Sequence, residues 1–150
     1  MRIAIIGAGA IGGYVGVKLA LAGEDVTFVA RGANLEAIRQ RGMTLRLADG
    51  SELHAPQVRA TNDYAGLGVQ DVVILAMKAH QVSDIVGQVP QLIGPQTTVV
   101  TMQNGIPFWY FHQHGGALTG RAVESVDPGG AILRAIPPQQ VIGCVVYPAT

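Results

Sequence analysis

Apolar runs alternate with helix-spaced apolar patches along this chain, and the alternation predicts a β-α-β succession. Ile3-Ala4-Ile5-Ile6 is a short apolar run, followed by Ile11, Tyr14, Val15, Leu19 and Ala22 at helical spacing. Gly12 and Gly16 fall one turn apart, on a face that can press closely on a sheet, and Gly23 reads as the residue that stops the helix. Residues 25–30 then read as a second strand and 34–40 as a second helix. Residues 43–47 and 52–54 alternate around Asp49-Gly50, which predicts a hairpin added at one edge of the sheet, with Pro56 limiting its second arm. Residues 71–77 form a continuous apolar run, the pattern of a central parallel strand covered on both faces. A helix over 79–87 and a strand over 96–102 follow. Beyond a turn-rich stretch over 125–130, residues 131–136 read as a strand broken by Pro137-Pro138, and 141–146 as a sixth core strand. The expected fold is therefore α/β, a Rossmann-type, doubly wound, mainly parallel sheet with an added edge hairpin, in one domain over residues 1–150.

The first turn carries the chemistry. Gly7-Ala8-Gly9-Ala10-Ile11-Gly12 is a Gly-x-Gly-x-x-Gly sequence set between a strand and a helix, the opening of a dinucleotide-binding unit. Gly7 suits the tight turn, Gly9 lets backbone approach a pyrophosphate, and Gly12 lets the helix lie close on the strand. The helix starting near Ala10 points its free N–H groups and positive dipole end at the phosphates.

The end of the second strand sorts the two nicotinamide cofactors. A carboxylate there would hold a ribose 2′-hydroxyl, whereas an arginine accommodates a 2′-phosphate. This chain has Ala30-Arg31. Arg31 reads either as a solvated loop arginine or as the partner of a 2′-phosphate. The second reading is favoured because a cation opposes the dipole of the helix it precedes unless an anion is near. The cofactor expected is thus NADP(H).

Two later strands deliver Lys78 and Gln103-Asn104-Gly105 to the same rim, since ligands in open α/β sheets bind outside the carboxyl ends of the strands. Lys78 also reads as a solvated lysine at a helix start, and Asn104-Gly105 as a turn pair. An amide can donate and accept toward a nicotinamide ribose or a substrate, which moves Asn104 further toward function than Lys78. Phe108-Trp109-Tyr110-Phe111 gathers the one tryptophan and two of the three phenylalanines, and reads equally as core, lid or contact surface. His112 and His114 lack a neighbouring carboxylate or cysteine at ligand spacing and read as surface or turn histidines, so no metal site is expected.

Composition narrows the function classes. Basic and acidic residues balance at ten each, which gives no reason to expect a nucleic-acid or acidic-membrane partner. Only 13% of residues are charged and 49% are apolar, so the chain has material for a large core. The single cysteine, Cys144, cannot form an internal disulfide and reads as an inert thiol in a buried strand. A reducing, cytoplasmic setting is the expectation. Arg2 with the apolar run after it imitates a secretory leader, but five glycines and Lys18 interrupt that run, and the cofactor turn explains the glycines.

Taken in order, Gly7 to Gly13, Arg31, Met77-Lys78-Ala79-His80-Gln81-Val82, Gln103-Asn104-Gly105 and the strand from Gly143 toward Ala149 resemble the N-terminal half of the ketopantoate reductase family. The stretch from Phe108 to Gln140 is longer than in the shortest family members and looks like a subgroup's version. The resemblance implies reduction of the 2-keto acid ketopantoate to pantoate with NADPH, on the way to pantothenate. It also implies that Gly7, Ala8, Gly9, Ala10, Ile11 and Gly12 hold the pyrophosphate, Arg31 the 2′-phosphate, Lys78 the nucleotide, and Asn104 both cofactor and substrate. The Ala149 backbone would line the nicotinamide pocket. The family's proton-donating lysine belongs to a C-terminal helical domain that this sequence does not contain, so no catalytic residue is assigned here. The expectation is a chain that binds NADPH and has little or no reductase activity alone. Its exposed last strand and aromatic segment would be surfaces for that domain or for self-association. The cofactor half of another 2-keto acid reductase or opine-type dehydrogenase, and a non-catalytic NADP(H)-binding module, are the alternative readings.

Overall fold

The computed structural model describes residues 1–147. Six strands form one parallel sheet: β1 (Arg2–Ile6), β2 (Asp25–Val29), β5 (Arg59–Thr61), β6 (Val72–Leu75), β7 (Thr98–Met102) and β8 (Val141–Cys144), in the order β5-β2-β1-β6-β7-β8. The chain runs outward from β1 through β2 to β5, then returns to β1's other side at β6 and runs outward again. Strand order therefore reverses between β1 and β6, and the crevice at a doubly wound sheet's switch point opens above their carboxyl ends.

Alternation along β1 divides the core between the two sheet faces. Ile3 and Ile5 point with Val26 and Phe28 toward α1 (Ala10–Leu21) and α2 (Gly32–Arg41). Ala4 and Ile6 point with Val73, Leu75 and Val99 toward the other layer, where α3 (Tyr64–Leu67), 3₁₀ turns over Ala79–Ile85 and Val89–Leu92, and α4 (Ala131–Ala135) supply Tyr64, Val82, Leu92 and Ile132. Helix α1 sits directly on the sheet because Gly12 and Gly16 lack side chains. A Cβ at Gly16 would run into the Phe28 ring and one at Gly12 into the Gly7 carbonyl.

Four expectations are corrected. The hairpin forms, as β3 (Met43–Arg46) and β4 (Glu52–Ala55), but as a separate two-stranded sheet. Its apolar residues Met43, Leu45, Leu53 and Ala55 cover the α1 layer, and the place at the sheet edge is taken by β5, paired with β2 from Thr27↔Arg59 to Val29↔Thr61. Residues 131–136 are helix α4 rather than a strand. The Asp127 carboxylate, 1% exposed, accepts from the Ile132 and Leu133 N–H groups at 2.8 Å each, and Ile132 and Ile136 bury one helical face. The helix expected over 79–87 is a 3₁₀ segment, Ala79–Ile85. Last, β8 is an edge strand with Ile142 57% exposed, so Cys144 is half-buried rather than a core thiol.

Candidate dinucleotide cleft at the carboxyl ends of the strands

The turn after β1 stands at the middle of the crevice. Gly7 has φ +104°, a conformation that favours glycine, and its N–H donates to the Val29 carbonyl at 3.2 Å. An added Cβ there would lie 2.9 Å from the Ala76 carbonyl oxygen. Gly9 is the opposite case: its Cβ position meets no atom within 4 Å, so the backbone faces open space. Gly9 caps α1 without a side chain, and the first turn of α1 contains no acidic residue. Its orphan N–H groups are left for an external acceptor.

Two lobes meet at this turn and share Gly7, Met77 and Gln81. One, of about 990 Å³ counted to its open mouth, is lined by Arg31, Asn34, Asn62 and Tyr64 among others. The other, of about 1420 Å³, is lined by Gly9, Ala10, Ile11, Lys78, Gln103, Asn104 and Val146. The residues expected at the site thus converge, with Arg31 at one end, the glycine turn between, and Lys78 and Asn104 at the other. Ala149 lies outside the described residues.

Two cations and one carboxylate, Asp84 in the lobe of Arg31, line the cleft without forming an ion pair among the described residues. Among the described residues neither Arg31 nor Lys78 has a carboxylate partner, whereas Arg2, Arg39, Arg46 and Arg59 each do. Burial pushes the Tyr64 phenol up from its ordinary pKa, and the nearby Arg31 charge partly offsets that rise, so Tyr64 is protonated at neutral pH. With its glycine cradle and the free helix N–H groups between Arg31 and Lys78, the cleft fits an anionic dinucleotide.

Hydrogen bonds not foreseen from sequence hold the rim together. Asn34 Nδ2 donates to the Ala8 carbonyl at 3.2 Å, tying the glycine turn to α2. Gln103 Nε2 donates to the Met77 carbonyl at 3.0 Å, tying the end of β7 to that of β6. The Lys78 N–H donates to Gln81 Oε1 at 3.1 Å and the Gln81 N–H to the Lys78 carbonyl at 2.9 Å. The motifs named Gln81 and Gln103 but not these bonds, because their partners are backbone atoms. Asn104 donates and accepts as expected of an amide, but in this structure both its bonds go to the Val146 backbone.

The aromatic segment lines neither lobe, but Phe108 and Trp109 line a smaller pocket with Ala79, Gln103 and Asn104 of the second. Phe108 is core, Trp109 packs against Gly143 of β8, and Tyr110, Phe111 and His114 stack edge to face on the surface. No group of three or more potential metal ligands occurs among the described residues. Nor, among them, is any helix long and apolar enough to cross a membrane.

A six-stranded parallel sheet with a glycine turn at its switch point defines a Rossmann-type nucleotide-binding fold. The sequence pattern of the family described as ketopantoate reductase PanE/ApbA matches residues 3–108, and the chain belongs to that family of oxidoreductases. It is 56% identical over 150 residues to a 2-dehydropantoate 2-reductase of Mesorhizobium japonicum, covering 99% of this chain and 45% of the relative. It is 34% identical to one of Pyrococcus horikoshii, over 89% of this chain and 42% of that protein. The crystal structure of a ketopantoate reductase-family protein from Ralstonia solanacearum MolK2 superposes with a TM-score of 0.89 at 49% identity, over 97% of this chain and 44% of that one. The chain spans less than half the length of these relatives.

Proposed function

We propose that this chain is the NADPH-binding half of a 2-dehydropantoate 2-reductase and is inactive on ketopantoate by itself. The observation that carries the reading is the arrangement of the cleft, with a glycine cradle at the switch point, a cation without a carboxylate partner at one end and a polar amide at the other. The free N–H groups at the start of α1 receive the pyrophosphate, and Arg31 meets the 2′-phosphate. Lys78 adds positive charge beside the nucleotide, and Asn104 faces the nicotinamide ribose and the keto acid. The nicotinamide, when bound, supplies the hydride that reduces the ketone. Closure against water needs surface that this open cleft does not supply, and Lys78 is assigned to the nucleotide rather than to proton delivery.

Thermal-shift titration of the chain with NADPH, NADH and ketopantoate tests the reading. Stabilisation by NADPH well above that by NADH, and none by ketopantoate, is the expected pattern. Absence of any shift with NADPH would sink the cofactor assignment, and clear turnover of ketopantoate by the pure chain would sink the claim of inactivity.

A further inference from the structure

We infer that Asn104 is a positioning residue: its amide locks the backbone of Val146 and so builds the nicotinamide end of the cleft. This rests on the dinucleotide reading of that cleft. Asn104 lies just past β7 and Val146 just past β8, and both line the lobe that holds Gly9 and Lys78. Nδ2 donates to the Val146 carbonyl at 2.8 Å, and the Val146 N–H donates to Oδ1 at 2.8 Å. Antiparallel strands exchange such a closed pair of bonds at one position, whereas β7 and β8 are parallel, so the amide supplies Val146 with a bond pattern that their own ladder does not contain. The last backbone pair between β7 and β8 is Met102↔Cys144, so the side chain of Asn104 holds the segment that follows β8 after the main chain of β7 has left it.

Among the described residues little else tethers this segment. Val145 is 64% exposed and Tyr147 90%, so burial on either side of Val146 contributes almost nothing to its placement. The paired bonds also fix the amide's sense, because a flipped amide would set N–H against N–H and oxygen against oxygen. A side-chain amide has two N–H groups and two lone pairs on its oxygen. Val146 takes one of each, which leaves one donor and one acceptor in a fixed orientation for a ligand in the lobe. The role therefore adds to the direct contacts proposed above, and it explains why an asparagine serves where an isosteric aspartate would set an anionic oxygen against the Val146 carbonyl.

The test combines amide hydrogen exchange at Val146 in the free chain with titrations of NADPH and of 2′,5′-ADP, which carries the 2′-phosphate and adenosine but no nicotinamide. The variants are Asn104→Asp and Val146→Pro, the second removing the N–H while leaving Asn104 in place. The Val146 amide is expected to be protected in the wild-type chain, although it lies outside any strand, and to exchange rapidly in Asn104→Asp. Both variants should bind NADPH about tenfold more weakly and 2′,5′-ADP within about twofold of wild type. An unprotected Val146 amide in the wild-type chain overturns the inference. So does wild-type NADPH affinity in Val146→Pro, or an equal loss for both ligands, which marks a general structural defect. A wild-type chain that binds neither ligand defeats the dinucleotide reading instead, and exchange at Val146 still decides whether the clamp exists.

Discussion

The two ends of the parallel sheet treat charge in opposite ways. At the amino ends of the strands the charges are matched: the Met1 ammonium with Glu24, Arg2 with Asp71, and Asp25 with Arg59. At the carboxyl ends Arg31 and Lys78 lack carboxylate partners among the described residues, and the first turn of α1 carries no acidic side chain to meet its N–H groups. The same strands thus end in a rim of ion pairs on one side and, on the other, an open rim where Arg31, Lys78 and Asp84 stand without ion-pair partners among the described residues. Changes at the carboxyl rim should cost ligand binding, and changes at the amino rim should cost stability alone.

Gly12→Ala should give the largest effect, because it disturbs fold and cleft together. Its Cβ would collide with the Gly7 carbonyl, a backbone atom that moves only if the turn itself deforms. A loss of about 2–3 kcal/mol is expected, seen as a fall of roughly 5–10 °C in Tm, together with loss of NADPH binding. Gly9→Ala sharpens the contrast. Its Cβ meets nothing within 4 Å, so the melting temperature should hold while NADPH affinity falls on the order of tenfold. Equal Tm losses in the two variants would show that Gly9 is a packing glycine and not an opening for phosphate.

Arg31→Ala comes next. Arg31 is exposed and the backbone at that position is ordinary extended chain, so the melting temperature should not change. NADPH binding should weaken about tenfold or more, while NADH binding stays within about twofold, as read by fluorescence titration. Equal losses for the two cofactors would remove the 2′-phosphate assignment and leave Arg31 as a general contributor of positive charge.

The carboxyl rim was largely legible in the sequence because its signals are local. The glycine spacing over Gly7–Gly12 marks the turn, and the apolar runs before Arg31, Lys78 and Gln103 place each residue at a strand end. Signals that depend on distant partners were not legible. β5 is three residues long and is a strand only because β2 offers it an edge. Residues 131–136 are an apolar run too short for its period to separate helix from strand, and Asp127 decides the matter from outside the run. The Asn104 clamp joins residues 42 apart, so no spacing rule could reveal it.

Asp71→Asn at the amino rim should have the smallest effect, and pH is the means of seeing it. Asp71 Oδ2 accepts from the Arg2 backbone N–H at 2.8 Å, which ties the start of β1 to the start of β6. That hydrogen bond, helped by the Arg2 charge, holds the carboxyl below its usual pKa, against a smaller desolvation that acts the other way. A group whose pKa is depressed by folding contributes stability above its unfolded value, about 3.9 for aspartate, and loses it as pH falls through the lower folded value. Wild type should therefore exceed Asp71→Asn slightly in Tm at neutral pH, and the two melting curves should converge as the pH is lowered below about 4. NADPH affinity should be the same in both, since Asp71 sits at the opposite end of the sheet from the glycine turn. If Asp71→Asn weakened cofactor binding as Arg31→Ala is expected to, the division of labour between the two rims would not hold.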